Sequence, residues 1–548
     1  MKELEEQFNN IHLLERDERV KLINKLETLK PDFLKPYYPR WWWWRRCNIK
    51  VLIVCDGGLN FGTGSGGLSE FLTTFNRLQA STWNNYQLTL GHRQPIVATS
   101  PNPLVVNTIT TPFNFQTSVN LNDYDQVWLF GILSGLSGLP ANELTVVENY
   151  MNNGGGLFAT GDHGSLGSSL CANITRVKDM RHWKDTPNSN DNFNEVSMNG
   201  KRRNDTNRPA PGQAVSLYFD NQSDNIPQNI GFKTFTGGLP HPLLSIKTSL
   251  RPSGIIDIMP DHPHEGECKP ETSFTVNGVT VPTQNIATSF VLGGSTTHGG
   301  IGGKTPTDPH CFPSIGVWDG HLANAGRIVV DSTWHHFVNI NLNGVGSTID
   351  LSGIQSGLSN SDLDVIKQYF MNISLWMSRR KSWWCWRRIL FIDMLKNSQI
   401  IEASLNNPDE KLEKISFKDI SSIGSLAEEI LSSKINPSFA REFLVESLNN
   451  INPELALVLN PFNPEFSNKG NKFDFNNNWI NMDIILYTMI GAGFLALRDD
   501  KIINSDEINE KDLDRVQEIY SKGAEYGLKL SLDNFKLNLK AFSSKLKF

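Results

Sequence analysis

The sequence predicts an α/β fold: a doubly wound, mostly parallel sheet followed by a C-terminal α-helical domain. Three observations carry that prediction. Short apolar runs alternate with helical patterns through the first two-thirds of the chain. Glycine is crowded into the same region, with 37 of the 43 glycines before residue 389. The remainder is glycine-poor, and its apolar residues recur at spacings of three and four.

A charged lead-in over about residues 1–30 reads as helical, and residues 1–47 end in a Trp/Arg-rich segment. Lys50 to Asp56 (KVLIVCD) then forms a continuous apolar run, the pattern of a strand covered by helices on both faces. A helix is expected over Gly67–Leu78. Asp125 to Ile132 (DQVWLFGI) is a second buried strand, and Ala141–Met151 a helix stopped by Asn153-Gly154-Gly155-Gly156. Leu157–Gly161 is the third strand, Arg327–Thr333 the fourth, and Asp362–Met377 a closing helix. Between about 176 and 255 the alternation is lost in a stretch rich in Asn, Asp, Pro and Arg. Such a stretch is either an elaborated loop near the ligand edge or a surface insertion. The domains expected are therefore 48–388 (α/β) and 389–548 (helical), the latter with helices over Ser425–Lys434, Ser438–Asn449 and Leu513–Leu530.

Charge follows the same division. The whole chain carries −6. Residues 1–388 hold 33 Lys+Arg against 33 Asp+Glu, and residues 389–548 hold 18 against 24, so the acidity belongs to the tail. No basic face marks a nucleic-acid binder. The amino-terminal stretch is charged from its start and has no apolar core of signal-peptide length. The longest uncharged apolar run, Ile484 to Leu497, is shorter than the roughly 20 residues needed to span a bilayer. Six cysteines without paired spacing make no disulfide framework, and a reducing cytoplasm is the expected location.

In open α/β sheets, ligands collect beyond the carboxyl ends of the strands. The candidates are therefore Asp56 with Gly57 and Gly58 after the first strand, and Gly161, Asp162 and His163 after the third. After the fourth come Asp331, Ser332, Thr333, His335 and His336. Three strand ends deliver titratable groups to one edge. Asp162, His163, His335 and His336 supply the oxygen and nitrogen donors that zinc, manganese or iron take, so a divalent metal with an activated water is one reading. Asp162 orienting a histidine general base is another, and Asp162 capping a helix from Ser165 is a third. If the strand continues, His335 and His336 face opposite sides, one buried and one in the site.

The order VLIVCDGG, DYDQVWLFG, ENYMNNGGGLFATGDHG and GRIVVDSTWHHF resembles the class I glutamine amidotransferase-like superfamily, in its ThuA-like (trehalose-utilisation) branch, over roughly residues 48–378. The resemblance implies a flavodoxin-like sheet with a pocket at its strand ends. It also implies a nucleophilic cysteine at the turn that here reads Thr160-Gly161-Asp162-His163-Gly164. Asp162 stands in the nucleophile position, and a carboxylate does not attack an amide at neutral pH, so glutaminase activity is not expected. The family's catalytic histidine corresponds to His335 or His336, without the glutamate that usually follows two residues on.

Several other segments could carry chemistry. His262, His264, Glu265 and Glu267 lie in a proline-bracketed loop of metal-like composition but no established ligand spacing; it is a polar loop or a flap over the strand ends. Phe61 to Gly67 (FGTGSGG) is a glycine-rich rim without the Walker lysine. Asp499 to Glu507 lacks the glycine and alternating oxygens of a calcium loop and reads as an acidic turn. Arg40 to Arg46 and Arg379 to Arg388 hold seven of the fourteen tryptophans and eight basic residues. They form either a structural seam or a surface for a protein partner, a second copy or a membrane interface. The function expected is hydrolase-like chemistry on a small-molecule ligand in an Asp/His pocket, or a non-catalytic scaffold using the same pocket and tail.

Overall fold

The computed structural model describes residues 46–81, 84–95, 98–135, 138–162, 165–183, 227–260, 266–291, 310–345, 357–405, 410–449, 451–464, 481–500, 502 and 513–545. The amino-terminal lead-in and the four tryptophans Trp41 to Trp44 lie outside them.

The expected elements appear, most with boundaries shifted by a few residues, while two tail helices are longer than expected, 417–434 against 425–434 and 513–545 against 513–530. Strand β1 (Cys47–Cys55) leads to helix α1 (Ser69–Ser81), β2 (Asn84–His92), β3 (Val105–Thr108) and β4 (Gln126–Phe130). Helix α2 (Ala141–Asn152) precedes β5 (Gly156–Thr160), after which come two single turns, α3 (Ser168–Cys171) and α4 (Val177–Met180). Strands β6 (Gln228–Phe232), β7 (Ile258–Met259), β8 (Ser273–Val276), β9 (Val279–Val291), β10 (His310–Trp318) and β11 (Ile328–Asp331) complete the sheet. Helices α5 (Asn339–Asn343) and α6 (Asn360–Met377) close this part of the chain.

The sheet runs β3-β2-β1-β4-β5-β11-β10-β9-β6-β7, with β8 on β9. From β3 to β11 every pairing is parallel; from β11 outward every pairing is antiparallel. The antiparallel wing escaped the sequence reading because its two long strands carry proline, Pro282 in β9 and Pro313 in β10. Proline withholds a ladder donor and reads as a break. The β9–β10 register shifts between Pro313 and Ile315, a bulge that accommodates it.

The central strands alternate their side chains between two cores. Val51, Ile53, Trp128, Phe130, Phe158 and Val329 join the core under α1 and α6. Leu52, Val54, Val127, Leu129, Leu157 and Val330 join the core on the opposite face, with Val147 and Met151 of α2. Coverage of both faces explains why these strands read as unbroken apolar runs.

The tail is a helical bundle: α7 (Arg380–Leu395), α8 (Ser398–Leu405), α9 (Phe417–Lys434), α10 (Pro437–Ser447), α11 (Pro453–Leu459), α12 (Met482–Asp499) and α13 (Leu513–Lys545). It has its own core, centred on α12, which contains the Ile484–Leu497 run. No helix among the described residues is long and apolar enough to cross a membrane. Helix α7 runs unbroken across residue 388, where the composition changes.

Bundle and sheet are tightly joined. Phe439 of α10 sits in the α1/α6-side core, as do Trp383 and Trp386 of α7. Arg327 is buried between Asp319 and Glu442 of α10, and its guanidinium lies 4.5 Å from the Trp376 ring and 5.1 Å from that of Trp383. Trp386 Nε1 donates to Asn84 Oδ1.

The cysteine reading needs correction at one pair. Cys47, the first residue of β1, is bonded to Cys385 in α7, with Cα atoms 6.0 Å apart and a sequence separation of 338. Local spacing cannot reveal a partner that only the fold brings near.

Candidate functional site

The carboxyl ends of β5 and β11 lie side by side, because Asp331 pairs with Thr160 in the parallel ladder. Beyond β5 the chain turns through Gly161. A Cβ there would stand 2.6 Å from the Leu166 carbonyl oxygen and 2.8 Å from the Trp183 ring, so only glycine fits. Asp162 follows with its side chain 1% exposed. It is absent from the non-glycine residues with positive φ (Arg176, Asn277, Asn324), so it does not occupy the strained elbow of a nucleophile. Nor does it cap a helix: α3 begins at Ser168 with Gly167 as its N-cap.

Asp162 looks across to the residues after β11. Thr333 Oγ1 donates to Asp162 Oδ1 at 3.1 Å and accepts from the His335 backbone N–H at 3.0 Å. One hydroxyl therefore ties the carboxylate to the single 3₁₀ turn, residues 334–336, that carries both histidines. His335 Nε2 lies 3.6 Å from Asp162 Oδ2, longer than a hydrogen bond. Its Nδ1 is 3.3 Å from Asn341 Oδ1, and its ring stacks on Trp334 at 3.9 Å. The turn separates the two histidines: His335 is partly exposed, whereas His336 is buried with Nδ1 2.8 Å from Asp331 Oδ1. Asp331 also accepts from Tyr369 Oη at 2.7 Å and from the Thr333 N–H at 3.2 Å. Burial, reinforced by the neighbouring Asp331 charge, pushes the Tyr369 phenol well above its usual range.

A buried arginine locks the two strand ends together. Arg181 Nη2 donates to the carbonyl oxygens of Asp162 at 2.5 Å and Ser332 at 2.8 Å, and its guanidinium lies 4.3 Å from the Trp183 ring centre. Arg181 pairs Cys268 in an isolated antiparallel bridge, so Gly266, Glu267 and Cys268 run alongside this turn. Glu267 is buried, and its carbonyl accepts from the His182 N–H at 2.9 Å. His262, His264 and Glu265 lie outside the described residues, as does His163.

Asp56 sits at the switch point between β1 and β4 and serves the scaffold. Its Oδ1 accepts from the N–H groups of Ile132 at 2.5 Å and Leu133 at 3.2 Å, and its Oδ2 from Ser169 Oγ at 2.6 Å. Burial pushes its carboxyl above the usual range, against the lowering effect of those three donors. Gly57 has φ +54°, and a Cβ there would meet the Leu133 side chain at 2.2 Å; at Gly58 the nearest atom is 3.6 Å away. The glycine-rich rim is held by Asn339, whose Nδ2 donates to the carbonyls of Gly62 and Gly64. Its Oδ1 accepts the Glu70 N–H at 2.9 Å, so a first-turn donor of α1 that an anion would use is already engaged.

Of the proposed metal set, Asp162, His335 and His336 are described, and His163 lies outside the described residues. Among the described residues no group of three or more His, Cys, Asp or Glu side chains could hold a metal ion. His336 lies beside Asp331, and the partly exposed imidazole next to the buried Asp162 carboxylate is that of His335. Sequence reasoning missed Arg181, Asn341, Tyr369 and Ser169. All lie outside the strand-end motifs, and Arg181, Tyr369 and Ser169 become relevant only through long-range contact. Asn341, six residues beyond His335 in an Asn-rich run, carried the nearest thing to a signal.

No family model matches the chain, and no curated protein matches it. Among solved structures, it is similar to one from Bacteroides uniformis described as ThuA-like. Identity is 12%, with 59% of this chain and 91% of that chain covered, at a TM-score of 0.22. A score that low carries no weight for fold or function, and the α/β architecture rests on the strand pairing itself.

Proposed function

We propose that the α/β part of the chain, residues 48–388, is a hydrolase-like module of amidotransferase-like design that binds a small molecule at the ends of β5 and β11. The helical tail is its second domain. The observation that supports this reading is the Asp162–His335 pair, a buried carboxylate beside a partly exposed imidazole on a turn secured by Thr333 and Arg181. An aspartate beside an imidazole fixes the ring's orientation and tautomer. His335 can then accept a proton from a bound water or substrate hydroxyl and return it to the leaving group. The oxygen so activated attacks the acyl carbon, phosphorus or anomeric carbon, and the bond from that atom to the leaving group breaks as the leaving group takes the proton. With aspartate in place of cysteine, no acyl-enzyme on a thiol is part of the reading.

One observation favours the second reading, a non-catalytic binding scaffold: both ring nitrogens of His335 face protein atoms, Asp162 and Asn341. Turnover separates the two. Purified protein would be assayed against nitrophenyl esters, phosphates and glycosides beside Asp162→Asn and His335→Gln variants. General-base catalysis is worth about 10²–10⁴-fold, so each variant should lose at least about 100-fold while melting normally. Variants that turn over substrate as fast as the parent would defeat the hydrolase reading, and so would a parent with no turnover above background.

A further inference from the structure

Helix α13 is 33 residues long, but only its first part belongs to the bundle. Val516, Tyr520 and Ala524 are buried in the helical core, and Leu528 and Leu530 pack against it. Ser531 is the last buried residue among those whose exposure is described. From residue 532 to Lys545 the helix continues for 14 residues, about 21 Å at 1.5 Å per residue. Over 532–540, where side-chain exposure is described, no residue is buried.

That projecting segment is patterned. Leu528, Leu532, Phe535 and Leu539 follow spacings of four, three and four, and the sequence continues the series at Phe542 and Leu546. This spacing is that of the a/d seam of a coiled coil, with Leu537, 67% exposed, standing outside it. Leu532 is 44% exposed and Leu539 51%. Along one flank run Lys529 and Lys536, which occupy the e positions. The corresponding g positions hold Ser531 and Asn538. From residue 529 onward there are five lysines (529, 536, 540, 545, 547) against one acidic side chain, Asp533, although the tail as a whole is acidic.

Charge decides what fits the seam. Two copies of this helix would pair Ser531 with Lys536 and Asn538 with Ser543 in parallel, and Lys with Lys in antiparallel, with no opposite charge at these e or g contacts. We infer that the end of α13 is a docking helix for a partner helix with an apolar a/d seam and Glu or Asp at its flanking positions, forming a heterotypic coiled coil.

The test uses the full chain and a fluorescein-labelled synthetic peptide of four heptads with Leu at a and d and Glu at e and g. Anisotropy should show saturable binding that weakens as salt rises from low ionic strength. Binding should be lost in the Leu532→Glu/Leu539→Glu variant, whose exposed positions leave the fold and its circular dichroism unchanged. The Lys529→Glu/Lys536→Glu variant should exchange the acidic peptide for one with Lys at e and g. Three results would each overturn the inference: no binding by the parent, equal binding by all variants, or indifference to the charge exchange. So would co-sedimentation with phosphatidylserine vesicles without peptide binding, or a dimer in ultracentrifugation that the leucine substitutions abolish.

Discussion

Replacing Thr333 with valine probes the connection on which the Asp162–His335 arrangement depends. Valine preserves the branched shape and removes only the hydroxyl. That hydroxyl donates to Asp162 Oδ1 at 3.1 Å and accepts from the His335 N–H at 3.0 Å. Hydrogen bonds to charged groups contribute about 1.5–3 kcal/mol, and an N-cap interaction typically about 1 kcal/mol. Because one oxygen makes both contacts, the two are not independent, and the expected loss is about 2–4 kcal/mol. Thr333 is 1% exposed, so water is poorly placed to substitute for the lost hydroxyl. Thr333→Ser keeps the oxygen and should cost less than half as much. Urea unfolding followed by near-ultraviolet circular dichroism reads the difference as a shift in midpoint at constant slope. Hydrolytic turnover, if present, should fall with valine and survive with serine. A valine variant within about 0.5 kcal/mol of the parent would refute the reasoning, because Asp162 would then be held by other groups.

Two further outcomes follow from the geometry. Gly57→Ala forces an L side chain into φ +54° and against Leu133, so it should cost more than about 1 kcal/mol. Gly58→Ala, with its nearest neighbour at 3.6 Å, should cost less; equal melting temperatures would contradict this. Burial pushes the carboxyl of Glu442 up to about 7, with Arg327 pulling it down and Asp319 and Glu446 pushing it up. Its folded value lies above its unfolded value, so its contribution favours the fold fully below about pH 4.5 and is lost as pH rises through about 7. Glu442→Gln should flatten the stability profile across that window, and an unchanged profile would show that the carboxyl titrates elsewhere.

The sequence by itself determined the central parallel strands, the helices around them and the glycine-poor helical tail. Periodicity is a local property: a strand covered on both faces must be apolar throughout, and a helix in a bundle must repeat its apolar residues every three or four positions. The strand-end rule likewise named Asp162, Thr333 and His335 without any knowledge of distance. Tertiary structure alone decided how they combine. Arg181, remote in sequence from Ser332, joins the two turns because a buried guanidinium must find acceptors wherever the fold supplies them. The 3₁₀ turn after β11 places His335 beside Asp162 and His336 beside Asp331, since a tight turn reorients neighbouring side chains in a way residue identity does not encode. The proline-bearing antiparallel wing and the Cys47–Cys385 bond were hidden for the same reason. Each rests on contacts between distant segments, and pairing energy depends on where the chain returns in space, which no local pattern records.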